Sequence, residues 1–142
     1  MITFTNVTKT YPDGTVAVDD LTLEVPEGTL AVFVGPSGCG KTTSMRMINR
    51  MIERTGGDIL LDGVDVRTLP EHELRRSMGY VIQQGGLFPH RTVLDNVTTV
   101  PRLLGWDKKR ARDRAFELLG LVGLEPEHAA RLGEGLRLVG EE

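Results

Sequence analysis

The stretch GPSGCGKTT, Gly35 to Thr43, sets glycines, a serine and two threonines around one lysine, directly after the apolar run TLAVFV. Gly35, Gly40, Lys41 and Thr42 meet the pattern G-x-x-x-x-G-K-[ST]. Such glycines let backbone N–H groups, here those of Gly35, Pro36-Ser37-Gly38, Cys39 and Gly40 as far as they carry one, converge on a single anion. A helix starting at the lysine adds its positive dipole end, which suits phosphate oxygens. Lys41 would then reach the terminal phosphates of a nucleoside triphosphate, and the Thr42 hydroxyl, next to Thr43, would ligate Mg²⁺. The plainer reading is a flexible strand-to-helix turn with a stray lysine. The flanks favour phosphate, because the motif requires a buried strand before it and an amphipathic helix after it. The loop names neither the base nor the machine. The N-K-x-D tetrapeptide of guanine-binding P-loop proteins is absent from the chain, and small-molecule kinases share the loop.

Other chemistry-bearing residues have duller readings. Cys39, near a helix N-terminus, reads as a small filler residue rather than a redox sensor. His72, His90 and His128 show no ligand spacing and read as surface groups. Met45, Met47 and Met51 read as core filler, and Lys108 to Arg114 as a solvated helix face.

The elements that must position the loop follow from periodicity. ITFTNVTK alternates as a half-buried strand. YPDGT is turn chemistry. VAVDDLTLEV alternates through Val16, Val18, Leu21, Leu23 and Val25, with a slip at the Asp pair. Leu30 to Val34 is a continuous apolar run, expected to be a strand buried on both faces. TTSMRMINRMIE places Met45, Ile48 and Ile52 on one helical face. DILLDGVDV reads as a hairpin around Asp62-Gly63. LPEHELRRS reads as a short helix with Pro70 near its start, followed by the apolar run MGYVIQ. From about Thr92 the period is helical, with Ala111, Ala115, Leu118, Leu119 and Val122 in register and Asp107 as N-cap. Strand, glycine loop, helix and further strands and helices indicate an α/β domain with parallel pairing.

Composition bounds the class. The 142 residues suit one domain, and 17 Lys plus Arg against 20 Asp plus Glu give a net charge of −3 without a basic block. A nucleic-acid partner is therefore disfavoured. A single cysteine excludes an internal disulfide and fits a reducing compartment. No signal-peptide h-region and no membrane-length apolar run is visible, so a soluble, cytoplasmic chain is expected.

GPSGCGKTT, the downstream VIQQGGLFPHRTVLDNV and the upstream Tyr11 together resemble the ATP-binding subunit of ATP-binding-cassette (ABC) transporters, over Ile2 to about Arg131. The resemblance implies a P-loop NTPase fold with an N-terminal antiparallel β subdomain, a parallel core and a helical subdomain. It implies ATP and Mg²⁺ as cofactors, with Gln83 closing a strand to touch Mg²⁺ and the attacking water. It places Tyr11 on the adenine ring, where a stack is worth about 1–3 kcal/mol; the dull alternative is a turn aromatic covering the sheet end. The implied partners are transmembrane permease subunits and a second ATP-binding subunit, with a solute-binding protein involved only indirectly. The implied location is peripheral, on the inner face of the cell membrane. YPDGTVAVDDLTLEV, MRMINRMIERTGGDILLDGVDV, ELRRSMGYVIQQGGLFPH and VPRLLGWDK are similar to the importers of quaternary amines such as glycine betaine, carnitine and choline.

The chain departs from the family pattern after LEPEHAAR. It ends in LGEGLRLVGEE, without the LSGGQ signature, an apolar run closed by Asp-Glu, or a late His. Residues 1–131 are thus expected to be the N-terminal part of an ATP-binding domain and 132–142 a tail outside the resemblance, from a truncated copy or a shifted reading frame. The catalytic Glu and switch His are not found in the chain, so it is not expected to hydrolyse ATP alone. The parallel core is expected to be incomplete, leaving Leu30 to Val34 and Tyr80 to Ile82 uncovered. A non-catalytic nucleotide-binding fragment and a soluble P-loop kinase are the alternatives.

Overall fold

The computed structural model describes residues 1–82 and 86–131, in two compact units, Met1–Tyr80 and Val81–Glu142. Gln83 and the 132–142 tail lie outside the described residues.

In the first unit β1 (Ile2–Thr10) pairs antiparallel with β2 (Val16–Val25) and with β3 (Gly56–Leu61), which pairs with β4 (Val64–Asp65), giving the order β2-β1-β3-β4. Strict alternation would put Phe4 and Val7 on opposite faces. Both are buried because the register shifts between them. The shift centres on Asn6, at φ 49°, whose N–H donates to Thr22 Oγ1 at 3.0 Å and whose side-chain amide donates to Asp20 Oδ1 at 2.7 Å. On the other side Gly57 accommodates the bulge. Its φ is 71°, and a Cβ there would stand 2.2 Å from the Asn6 carbonyl oxygen. The expected slip at the Asp pair is present as the jump from the Val7↔Leu21 pair to the Lys9↔Val18 pair. The β3–β4 hairpin turns at Asp62 and Gly63, φ 50° and 81°, the left-handed pair that a two-residue type I′ connection needs.

Helix α1 (Lys41–Ile48) and helix α2 (Glu71–Arg76) close the core: Phe4, Val7, Val18, Met47, Ile59, Val66 and Leu74 are buried together. Each large side chain so buried contributes about 1.5–3 kcal/mol. Arg54, 7% exposed, clips the sheet end. Its guanidinium donates to Gly57 O at 2.7 Å, Asp58 Oδ1 at 2.9 Å and Asp65 Oδ2 at 2.8 Å. The Arg54 hydrogen bond, aided by the Arg67 backbone N–H and opposed by burial, holds the Asp65 carboxyl below its ordinary 3.8. A carboxylate depressed on folding stabilises fully above its unfolded value and loses that contribution as pH falls through its folded value. Asp65→Asn should therefore cost about 1.5–3 kcal/mol at neutral pH, and the gap to the unchanged chain should close as pH drops below 3.8. Urea midpoints followed by far-ultraviolet circular dichroism read both; a gap that persists in acid would contradict the assignment.

Three expectations need correction. Leu30 to Val34 forms no strand, although it is uncovered as the incomplete core implies, with Leu30 and Val34 91% and 89% exposed. Tyr80 to Ile82 likewise forms none, with Val81 93% exposed. A strand forms only where a neighbour takes up its N–H and C=O groups. Every strand pairing among the described residues is antiparallel and leaves both runs unpaired, so the described residues supply no parallel pair. The loop helix is also shorter than its periodicity suggests. It caps at Asn49, and Arg50 turns left-handed at φ 55°. Met47 is core, whereas Met45 and Met51 are exposed.

In the second unit α3 (Val93–Leu103) and α4 (Lys108–Leu121) pack with a 3₁₀ turn at Pro126–Ala130. Thr92 caps α3, accepting from the Asp95 N–H at 3.1 Å. Asp107 caps α4 as expected, accepting from the Lys109 and Arg110 N–H groups at 3.0 Å. Ala111, Ala115 and Leu119 are buried and Leu118 is half-buried, while Val122, one turn on, is exposed. His128 serves as a cap, its Nδ1 accepting from the Glu125 N–H at 3.0 Å. Among the described residues no helix is long and apolar enough to cross a membrane.

Candidate nucleotide-binding site

The loop Gly35 to Thr43 enters from the exposed run and ends in α1. Gly38 and Gly40 are left-handed, at φ 83° and 87°. Gly40 is fixed twice over, since a Cβ there would also stand 2.3 Å from the Ala17 carbonyl oxygen of β2. That close approach seats the helix start against the sheet. The Gly40 carbonyl accepts from the Ser44 N–H at 2.8 Å and the Ser44 hydroxyl at 3.0 Å, closing the first turn.

Lys41 is the hub. Its Nζ donates to the Gly35 and Pro36 carbonyl oxygens, each at 2.7 Å, and stands 3.4 Å from Cys39 Sγ. The ammonium is thus tied across the loop it follows, its stem on the first residue of α1. The first turn of α1 carries no acidic residue, so nothing there opposes an anion. Thr42 is exposed and Thr43 half-buried on that same turn, and Pro36, Ser37, Gly38 and Cys39 are exposed. A cleft of about 260 Å³ beside the loop is lined by Val18, Leu21, Phe33, Cys39, Lys41 and Ser44. One cation, a helix N-terminus and Cβ-free corners are features that suit a phosphate anion.

The structure brings Gly35, Pro36, Cys39 and Lys41 of the loop into one cluster. Tyr11 lies in the same unit, in the turn between β1 and β2. Its N–H donates to Thr15 O at 2.8 Å and its carbonyl accepts from the Gly14 N–H at 2.9 Å. Sequence reasoning passed over Lys9, whose ammonium stands 5.1 Å from the Tyr11 ring centroid. The available signal was nearness in sequence: Tyr11 follows Lys9 by two residues, just past the end of β1. Among the described residues no group of His, Cys, Asp and Glu could hold a metal ion.

The family model for ABC transporters matches residues 18–138. The chain belongs to the ABC transporter family. Among ABC transporter relatives, the choline transport ATP-binding protein OpuBA of Bacillus subtilis (strain 168) is 50% identical over 131 residues, 92% of this chain and 34% of its own length. The carnitine transport ATP-binding protein OpuCA of Listeria monocytogenes is also 50% identical over 131 residues, 92% of this chain and 33% of its own length. The chain therefore spans about a third of the length of these relatives. The dimeric structure of a bacterial ABC transporter cassette superposes with a TM-score of 0.86 at 32% identity, covering 97% of this chain and 64% of that one. The same cassette, in a post-hydrolysis state bound to ADP and Pi, gives 0.85 at 31% identity, covering 96% and 63%. The fold is accordingly that of the P-loop ABC cassette.

Proposed function

We propose that this chain is the nucleotide-binding portion of a subunit that energises import of a small quaternary-amine osmolyte by binding and hydrolysing ATP. The observation that carries the reading is the Lys41 ammonium held across the glycine loop at the start of α1, in a chain half identical to proteins named for choline and carnitine transport. The N–H groups of the loop and the Lys41 cation bind the triphosphate. Thr42 and Gln83 are the proposed Mg²⁺ ligands, Gln83 lying outside the described residues. The bound metal supplies charge neutralisation between phosphates. Tyr11 is the adenine-stacking residue. Hydrolysis needs an oriented water and further charge stabilisation, so the role given to these residues is binding and orientation, with no catalytic residue assigned. The partners proposed are membrane-embedded permease subunits and a second ATP-binding subunit, which hold the protein to the inner face of the cell membrane.

A chimera tests this. Residues 1–131 replace the matching segment of a choline importer's ATP-binding subunit, and uptake of labelled choline is measured in cells. Uptake should persist and vanish with Lys41→Ala in the chimera. A chimera that assembles with its permease yet moves no choline would contradict the reading.

A further inference from the structure

A base that stacks on Tyr11 has only one free ring face, because the other is covered. The Lys9 ammonium stands over the ring, 5.1 Å from its centroid, and donates to the Glu53 carbonyl oxygen at 2.7 Å. The Glu53 carboxylate is engaged separately by Arg50 Nε at 3.0 Å, so the segment that receives Lys9 is itself held. Lys9 is half-buried and lies near the end of β1, beyond the register shift that follows Val7. One cation therefore joins three things: the end of the strand, the aromatic ring, and the backbone between α1 and β3.

We propose that Lys9 is a positioning residue for adenine recognition, clamping the Tyr11 ring by a cation–π contact and leaving the opposite face to the base. The proposal rests on Tyr11 as the stacking residue. Two effects follow. A cation over one face draws ring electron density toward itself, so the far face becomes the electron-poorer partner that an electron-rich purine stacks on well. A ring already held in place also loses less side-chain freedom when the base arrives. Neither effect touches the phosphates, so Lys9 governs the advantage of a nucleotide over a bare polyphosphate.

The test is calorimetric titration of the chain with MgATP and, separately, with magnesium triphosphate, in the unchanged protein and in Lys9→Met, Lys9→Arg, Tyr11→Ala and the Lys9→Met/Tyr11→Ala double variant. Lys9→Met keeps the apolar stem, and should weaken ATP by about 2–5-fold while leaving triphosphate affinity in place. Lys9→Arg should restore ATP affinity, and Lys9→Met should add nothing once Tyr11 is gone. If Tyr11→Ala changes the ratio of the two affinities but Lys9→Met does not, the role given to Lys9 is wrong. Equal loss of both ligands in Lys9→Met would make it a strand-holding residue and overturn the proposal. A ratio that Tyr11→Ala leaves unmoved, or no binding of either ligand by the unchanged chain, would sink the underlying reading and this inference with it.

Discussion

Scanning calorimetry of the 142-residue chain should show broad, low-enthalpy melting, well short of the ~100 kcal/mol that a full domain of this size gives at about 0.7 kcal/mol per residue. The reason lies in what the two cores leave outside. Leu30, Val32 and Val34 are exposed in an unpaired run, and Val81 and Ile82 in another. Leu103 and Leu121 add exposed apolar surface on the helices of the second unit. Among the described residues each unit keeps a small core, seven buried apolar residues in the first and five in the second. Stability is a small difference between large terms, and exposed apolar segments with free backbone groups invite association. Light scattering that rises with concentration should accompany the melt. The antiparallel sheet, whose strands all have partners, should be the last structure lost. One sharp cooperative transition with the full enthalpy would show this account of the fold wrong.

How far the sequence told its own structure depends on whether a residue's fate is set locally. Asp62-Gly63 was legible because a type I′ turn is decided by two residues. Asp107 was legible because an N-cap needs only the next three N–H groups. The glycine loop was legible for the same reason, since Gly40 and Lys41 act within one turn of each other. Leu30 to Val34 was misread as a strand, though not in its being left uncovered, because an apolar run states a preference for burial, not the presence of a neighbour. The bulge at Asn6 was invisible because it depends on Gly57 and Thr22, distant in sequence. The length of α1 was overestimated because Met45, Ile48 and Ile52 keep helical spacing past the point where Arg50 turns left-handed. At the site, the glycines and lysine of the loop stand out in the sequence, but the cation on the Tyr11 ring does not. Its carbonyl partner, Glu53, lies on another element, and only the fold brings it to Lys9.

Lys41→Ala should weaken nucleotide binding by about 10–150-fold, the equivalent of one charge-assisted contact at about 1.5–3 kcal/mol. The loss is expected to fall on the ligand and not on the fold. Gly35 and Pro36, whose carbonyls Lys41 holds, are exposed, so water replaces the ammonium there at little cost. Gly40 still seats α1 against Ala17, and the Ser44 contacts that close the first turn do not involve the lysine. The circular dichroism of the variant should therefore match that of the unchanged chain.

The central claim is that Gly35 to Thr43 holds the triphosphate of ATP, and equilibrium titration with a fluorescent ATP analogue tests it most directly. The unchanged chain should bind the analogue in the presence of Mg²⁺, release it to unlabelled ATP, and bind it at least about 10-fold more weakly as Lys41→Ala. Equal affinity in the two proteins would place the nucleotide elsewhere and contradict the account.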